Sequence, residues 1–267
     1  DYARAPKPSL VIDEVDFVVV GGGSGGSAVA GTLALGKTGS VALIEAGGTN
    51  QTWRIRAPGG LAFLPDESNW RYETVPQPGL NGRRGYQPRG KGLGGSSAIN
   101  AMLYIRGCAW DYDQWASLGC QGWAWTDVLP IFKACEDNSR GANAYHGSGG
   151  PLSVVDQQSV NPGSTAFLTA AEALQLPHNP DFNGATLDGV GLYQVTQRHG
   201  ERWSAARAFL DPAGSGGHLT MITQALAERI LFEDGRAVGV RYSQAGEART
   251  IRARRAVILS RGVEVGH

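Results

Sequence analysis

Apolar positions enter this chain as short continuous runs and not as alternations. Asp16-Phe17-Val18-Val19-Val20 and Val41-Ala42-Leu43-Ile44-Glu45 are β-branched or aliphatic almost throughout, the pattern of strands buried on both faces. Between them, Ser27 to Leu35 carries small and apolar residues (Ala28, Val29, Ala30, Leu33, Ala34). That composition suits a helix lying close against a sheet, and Gly36 and Gly39 end it. Strand, helix and strand in about thirty residues predict a βαβ unit.

The rest of the chain is less regular until its end. Residues 1–15 form a polar, proline-containing lead, and residues 46–90 are broken by Gly, Pro and Asn. A second glycine-rich block, Gly90 to Ser97, runs into apolar Ala98 to Ile105. A helical stretch is expected around Asp111–Asp137, with Trp110, Trp115, Trp123 and Trp125 packed in the core or between helices. Leu219–Thr223 is apolar, and Ile230–Glu233 and Val238–Tyr242 flank Asp234-Gly235, a dipeptide favoured in tight hairpins. Ala245-Gly246 marks another turn before Arg249–Ala253, which completes an antiparallel meander. Ala256–Ser260 reads as a separate buried strand returning to the main sheet, and no internal repeat appears.

Composition narrows the function classes. Lysine plus arginine and aspartate plus glutamate both number 24, so no global field points to nucleic acid or an anionic membrane. No apolar run approaches the ~18 residues of a membrane span, and nothing at the N-terminus has the regions of a signal peptide. Cys108, Cys120 and Cys135 form no CxxC pair and have no histidine at metal spacing. Neither a disulfide framework nor a metal site is expected, and a reducing, cytoplasmic setting is. The 39 glycines are about twice the usual share. The chain opens on Asp1 and not on methionine, so it reads as processed or partial.

The glycines concentrate where chemistry is expected. Gly21-x-Gly23-x-x-Gly26 follows a strand and opens a helix, and Glu45 ends the next strand nineteen residues later. Gly21 permits the tight turn, Gly23 lets backbone N–H groups reach a pyrophosphate, and Gly26 allows helix and strand to touch. The phosphates then meet the positive end of the helix dipole, and Ser24 stands at that end. Glu45 is expected to accept from both ribose hydroxyls, and its carboxylate would repel the 2′-phosphate of NADP. This motif does not separate FAD from NAD. Arg89-Gly90-Lys91-Gly92-Leu93-Gly94-Gly95-Ser96-Ser97-Ala98-Ile99-Asn100 does, because a cofactor with a tricyclic ring needs a second close wall.

At these residues the sequence resembles the glucose–methanol–choline oxidoreductase family. The resemblance lies in Gly21–Gly26 with Glu45, Arg89–Asn100, and Tyr104-Ile105-Arg106-Gly107 followed by Asp111-Tyr112-Asp113-x-Trp115. It continues through Tyr145-His146-Gly147-x-Gly149-Gly150-Pro151, Arg202-x-Ser204-x-Ala206, and the meander ending in Val257-Ile258-Leu259-Ser260, so it spans about residues 14–260. The choline and alcohol dehydrogenase branch is nearest. The resemblance implies a Rossmann-like FAD-binding α/β fold with an antiparallel meander and an incomplete substrate domain. It divides the chain into an FAD-binding part (14–155), a partial substrate-domain or cap segment (156–215), the meander with its returning strand (216–260) and an anomalous tail (261–267).

By the same resemblance Gly21, Gly23 and Gly26 face the pyrophosphate and Glu45 the adenosine ribose. Gly94, Gly95, Ser96, Asn100 and Ala101, with Arg89, Leu93 and Met102 beside them, line the ribityl chain and flavin. Ala227 offers its backbone to the adenine. The implied reaction is hydride transfer from an alcohol carbon, of choline or another primary alcohol, to flavin N5, with oxygen or a quinone as electron acceptor.

Two departures matter. Some members tether the flavin through a histidine just before the arginine of the second block, where this chain reads Gln87-Pro88-Arg89, so non-covalent FAD is expected. Family chains also continue past Leu-Ser into a second signature and a catalytic histidine, whereas here Ser260 is followed by Arg261-Gly262-Val263-Glu264-Val265-Gly266-His267. Of the five histidines, His146 matches a position that looks structural in the family. His178, His199 and His218 read as loop or pre-strand residues, and His267 belongs to the tail. No catalytic base is assigned. Two other functions stay open: a flavin-binding module without turnover, and an NAD-dependent dehydrogenase. The latter requires a second βαβ half, which the meander disfavours.

Overall fold

The protein is described by a computed structural model, in which residues 13–261 are the described ones. The polar lead up to residue 12, and residues 262–267 with His267, lie outside the described residues.

One six-stranded sheet organises the chain. Strand β1 (Glu14–Val20) leads into helix α1 (Ser24–Leu35) and strand β2 (Val41–Ile44). Strands β3 (Leu219–Ile222), β4 (Ala225–Glu233), β5 (Arg236–Gln244) and β6 (Glu247–Leu259) follow much later. Their order across the sheet is β4-β5-β6-β1-β2-β3. The β6-β1-β2-β3 part is parallel and the β4-β5-β6 part antiparallel. The two hairpin turns behave as their residues demand. Asp234 and Gly235, and likewise Ala245 and Gly246, all have positive φ, the geometry of turns that follow the twist of the flanking strands.

Successive residues of β1 and β2 point to opposite faces, and each face has its own cover. Phe17, Val19, Val41 and Leu43 pack with Ala30 and Ala34 of α1 and with Leu210 and Ala213. Val18, Val20, Ala42 and Ile44 pack with Val240, Tyr242 and Ile251, because the meander curls over the second face. A parallel strand covered on both sides must be apolar at every position, as these are. Each fully buried Leu, Ile or Val contributes about 1.5–3 kcal/mol. On the first face, a Cβ at Gly31 would lie 2.3 Å from the Phe209 carbonyl oxygen. The absence of a side chain there lets α1 touch the turn at Ala206–Leu210, which continues into Asp211–Ala213. Ala206, Leu210 and Ala213 thus join the core on this face of the sheet.

Two expectations are met only in part. Arg249–Ala253 and Ala256–Ser260 are not separate strands: β6 is continuous, pairing antiparallel with β5 at its start and parallel with β1 from Arg252 onward. The charged Arg254-Arg255 step that breaks the apolar pattern is absorbed by a register shift opposite Asp16. There Arg254 bonds Asp16 and Glu14, and the Arg254 hydrogen bond, helped by Ser40, holds the Asp16 carboxyl well below the usual carboxylate range. The tryptophans are the second case. The helical stretch forms as Ala109–Ser117 and Trp125–Cys135. Trp125 packs between the two helices as expected, stacked on Tyr112 at 5.7 Å, and Trp115 meets Trp123 edge-on at 5.6 Å, but Trp110, Trp115 and Trp123 are exposed and not in the core.

Candidate functional site: a dinucleotide cleft

The cleft sits at the carboxyl ends of β6, β1 and β2, where open parallel sheets bind ligands. It encloses about 240 Å³ and is lined by Val20, Gly21, Gly23, Ser24, Ile44, Glu45, Ala46, Trp70, Arg89, Gly90, Gly95, Ser96, Ala225, Leu226, Ala227, Ser260 and Arg261. Eight of the residues expected from sequence meet there: Gly21, Gly23, Ser24, Glu45, Arg89, Gly95, Ser96 and Ala227.

The first glycine segment forms the floor. Gly21 has φ +98°, and Gly26 packs so tightly on it that a Cβ would fall 1.8 Å from the Gly21 carbonyl oxygen. Gly26 therefore works by letting helix and strand touch. Gly23 is the reverse case, since a Cβ there would have no atom within 4 Å. Helix α1 starts at this point with no side-chain cap and no acidic residue in its first turn. Its unpaired backbone N–H groups and the positive end of its dipole are left to the cleft.

The second glycine segment closes over the first. Gly94 N–H donates to the Gly22 carbonyl at 2.8 Å, and a Cβ at Gly95 would lie 2.6 Å from Gly23 Cα. Glu45 clamps the two together. One carboxylate oxygen accepts from Gly22 N–H at 2.7 Å, and the other accepts from Gly47 at 2.8 Å and Gly92 at 2.9 Å. A carboxylate has about four acceptor positions, so roughly one remains for a ligand. The expectation that Glu45 takes both ribose hydroxyls changes accordingly, because most of its acceptor capacity goes to fastening the two glycine loops.

The remaining expected residues lie elsewhere. Leu93 is buried in the core beside Phe17 and Leu210. Its Cδ2 would stand 2.9 Å from a Cβ on Gly22, so it supports the loop from beneath. Gly94 backs onto Ser204 and Ala206. Met102 has φ +63° and is buried, with its carbonyl accepting from Thr196 N–H. Asn100 and Ala101 are exposed beyond the cleft. Sequence reasoning missed Trp70, whose ring faces the Lys91 ammonium at 4.6 Å and stacks on Tyr72. It also missed Ser260. The signal for Ser260 in the sequence was its place directly after the last apolar run, and in the fold its N–H donates to the Val20 carbonyl at the end of β1.

A separate buried polar cluster accounts for His146. Its Nδ1 lies 2.9 Å from Glu136 and its Nε2 2.9 Å from Asp181. Both ring nitrogens thus lie within hydrogen-bond distance of carboxylate oxygens, and the Asn138 Nδ2 lies 3.0 Å from Nδ1. Arg106 bonds Glu136 at 2.7 Å, and Asn138, with Gln194 beside it, completes the set. His146 is fixed in this cluster and does not line the cleft; nor do His178, His199 and His218. Among the described residues no group of three or more His, Cys, Asp or Glu could hold a metal, and no helix is long and apolar enough to cross a membrane.

A mixed sheet with a glycine-floored cleft at its switch in direction defines a Rossmann-like dinucleotide-binding domain. The chain belongs to the GMC oxidoreductase family, whose model matches residues 15–264. It is 45% identical over 232 residues to an alcohol dehydrogenase (acceptor) of Pseudomonas putida, covering 86% of this chain and 42% of that protein. It is 42% identical over 249 residues to an oxygen-dependent choline dehydrogenase of Rhizobium etli, covering 92% of this chain and 45% of that protein. Among solved structures, pyridoxine 4-oxidase from Mesorbium loti superposes with a TM-score of 0.86 at 33% identity, covering 91% of this chain and 48% of its own. A structure concerning FAD modification in Aspergillus oryzae RIB40 formate oxidase gives a TM-score of 0.83 at 26% identity, covering 93% of this chain and 45% of its own. The chain thus spans a little under half the length of the relatives it matches. The family and its flavoprotein neighbours imply FAD.

Proposed function

We propose that this chain is the FAD-holding half of an oxidoreductase that oxidises a primary alcohol, choline-like or aliphatic. One observation carries the reading: the open cradle at Gly23, at the uncapped start of α1, is roofed by a second glycine segment at Gly95. The cradle fits a pyrophosphate, because it offers unpaired N–H donors and leaves out the one side chain that would fill it. Gly21, Gly23 and Ser24 would hold the phosphates, Glu45 would accept from one ribose hydroxyl, and Ala227 would meet the adenine. Arg89, Gly95, Ser96, Asn100 and Ala101 would flank the ribityl chain and ring. FAD, when bound, supplies a two-electron acceptor for the hydride of the alcohol carbon. This chain's residues orient that group and shield the phosphate end from water.

The family membership and the names of the relatives support an alcohol substrate, with oxygen or a quinone as the terminal acceptor. Cysteine usage supports a cytoplasmic setting. FAD is held without a covalent bond, since no histidine occurs before residue 146 and the stretch ahead of the second glycine block reads Gln87-Pro88-Arg89. A second reading, a flavin-binding module without turnover, draws support from the described histidines, all of which lie away from the cleft. Calorimetric titration of the chain with FAD and with NAD tests the first reading, which tighter binding of NAD would refute. Denaturation should release all yellow colour into the supernatant, and fluorescence retained on the polypeptide would refute the non-covalent assignment. Anaerobic mixing with choline and primary alcohols separates the two readings: bleaching within seconds means turnover, and none means a module.

A further inference from the structure

Among the described residues two arginines are buried, and one of the two has a carboxylate partner. Arg106 pairs with Glu136 at 2.7 Å. Arg202 is 1% exposed; its Nε donates to the Ile55 carbonyl at 3.0 Å, and its Nη1 donates to the Ser97 carbonyl at 3.2 Å and to Asn100 Oδ1 at 2.9 Å. Its Nη2 is buried with no hydrogen-bond partner among the described residues. Burial alone lowers its pKa to about 10. A guanidinium placed this way costs stability, because its lost hydration is only partly replaced. Three neutral acceptors, two of them on the Ser97–Asn100 turn, are what it holds in return.

The consequence falls on Asn100. Its Oδ1 accepts from Arg202 Nη1 and also from Met102 N–H at 3.0 Å. Two donors on one side of a carboxamide identify that side as the oxygen. The amino group must then point the other way, where Nδ2 has no partner among the described residues. Asn100 is exposed, on the turn that follows Ser96 of the cleft.

We propose that Arg202 is a positioning residue: it locks the Asn100 carboxamide so that its NH₂ is presented to an acceptor edge of the bound ligand. The inference rests on the FAD reading, in which that edge is the nitrogen and carbonyl rim of the flavin ring. It also explains the Arg202-x-Ser204-x-Ala206 motif, in which Ser204 and Ala206 back Gly94 while Arg202 orients Asn100.

Variants of the 267-residue chain test this through FAD affinity and the melting midpoint of the FAD-free protein. Asn100→Asp keeps an acceptor, now charged, for Arg202 and removes the NH₂ donor. Its melting midpoint should equal or exceed the parent's, while FAD should bind about tenfold more weakly, as the loss of one ligand hydrogen bond implies. Asn100→Ala should lose FAD affinity to the same extent, which excludes charge repulsion as the cause. Arg202→Lys should also weaken FAD binding, but add little once Asn100 is alanine, since the two act through one contact. Parent-like FAD affinity in Asn100→Asp or Asn100→Ala would overturn the proposal, as would full additivity with Arg202→Lys. A parent chain that bound no FAD would instead refute the cofactor reading on which it rests.

Discussion

Two alanine substitutions three residues apart should have opposite consequences. Gly23 has φ −67° and ψ −166°, which any residue adopts, and a Cβ there meets nothing within 4 Å. Alanine lowers the entropy of the unfolded chain, a gain of about 0.4–1 kcal/mol. At a helix N-cap it is poorer than glycine by a comparable amount, about 1 kcal/mol. The two terms nearly cancel, so Gly23→Ala should melt within a few degrees of the parent. The new methyl occupies the cradle. If it displaces two backbone bonds to an anionic ligand, each about 1.5–3 kcal/mol, FAD affinity falls at least ~100-fold. Gly26→Ala sets a Cβ 1.8 Å from the Gly21 carbonyl oxygen, and backbone cannot yield as a side-chain tip does. The overpacking cost should reach the top of its usual range, about 3 kcal/mol, which for a chain of this size lowers the midpoint by about 6–12 °C. Thermal unfolding by circular dichroism and titration with FAD measure both effects. A Gly23→Ala chain that binds FAD within about threefold of the parent would contradict the open cradle, and a Gly26→Ala chain that melts with the parent would contradict the tight contact.

The acid side of the stability profile follows from Asp16, Asp156, Glu201 and Glu233, whose carboxyls are held below their ordinary range chiefly by hydrogen bonds from Arg254, Arg140, Arg56 and Arg252. Such groups stabilise the fold above the unfolded carboxyl value, about 4, and lose that contribution as pH falls below it. The melting midpoint should therefore hold from pH 7 to about 5 and drop below about 4; a midpoint unchanged at pH 3 would refute this. His146→Leu removes the ring contacts to Glu136 and Asp181 and leaves buried carboxylate oxygens short of a partner, at a cost of about 1–3 kcal/mol. Chemical denaturation should show that loss while FAD affinity in the folded fraction stays at the parent's value, and a selective loss of affinity would place His146 at the ligand after all.

The βαβ unit needed little beyond sequence. Val18, Val19, Leu43 and Ile44 have to be buried on both faces, and glycines that end a strand and open a helix leave few alternatives. Asp234-Gly235 made its turn for an equally local reason, a backbone with positive φ. What spacing could not reveal was direction. Leu93 and Met102 sit in the expected block yet turn inward, because the segment's path past Gly22 and Thr196 decides which way each side chain faces. Trp70 and Ser260 reach the cleft from segments with no glycine signature, and β6 runs unbroken because Asp16 and Glu14, more than two hundred residues away, meet Arg254.

Local rules of burial, turn geometry and helix opening are written in neighbouring residues, so the sequence by itself determined the βαβ unit, the meander and the glycine cradle. Hydrogen-bond partners are written in three dimensions. Only the tertiary structure could decide that Glu45 fastens the two glycine loops, that His146 is enclosed by Glu136 and Asp181, and that Arg202 orients Asn100 from a hundred residues away. Glu45, His146 and Arg202 are each buried, and what a buried polar group does is set by the few polar atoms the fold brings within about 3 Å of it.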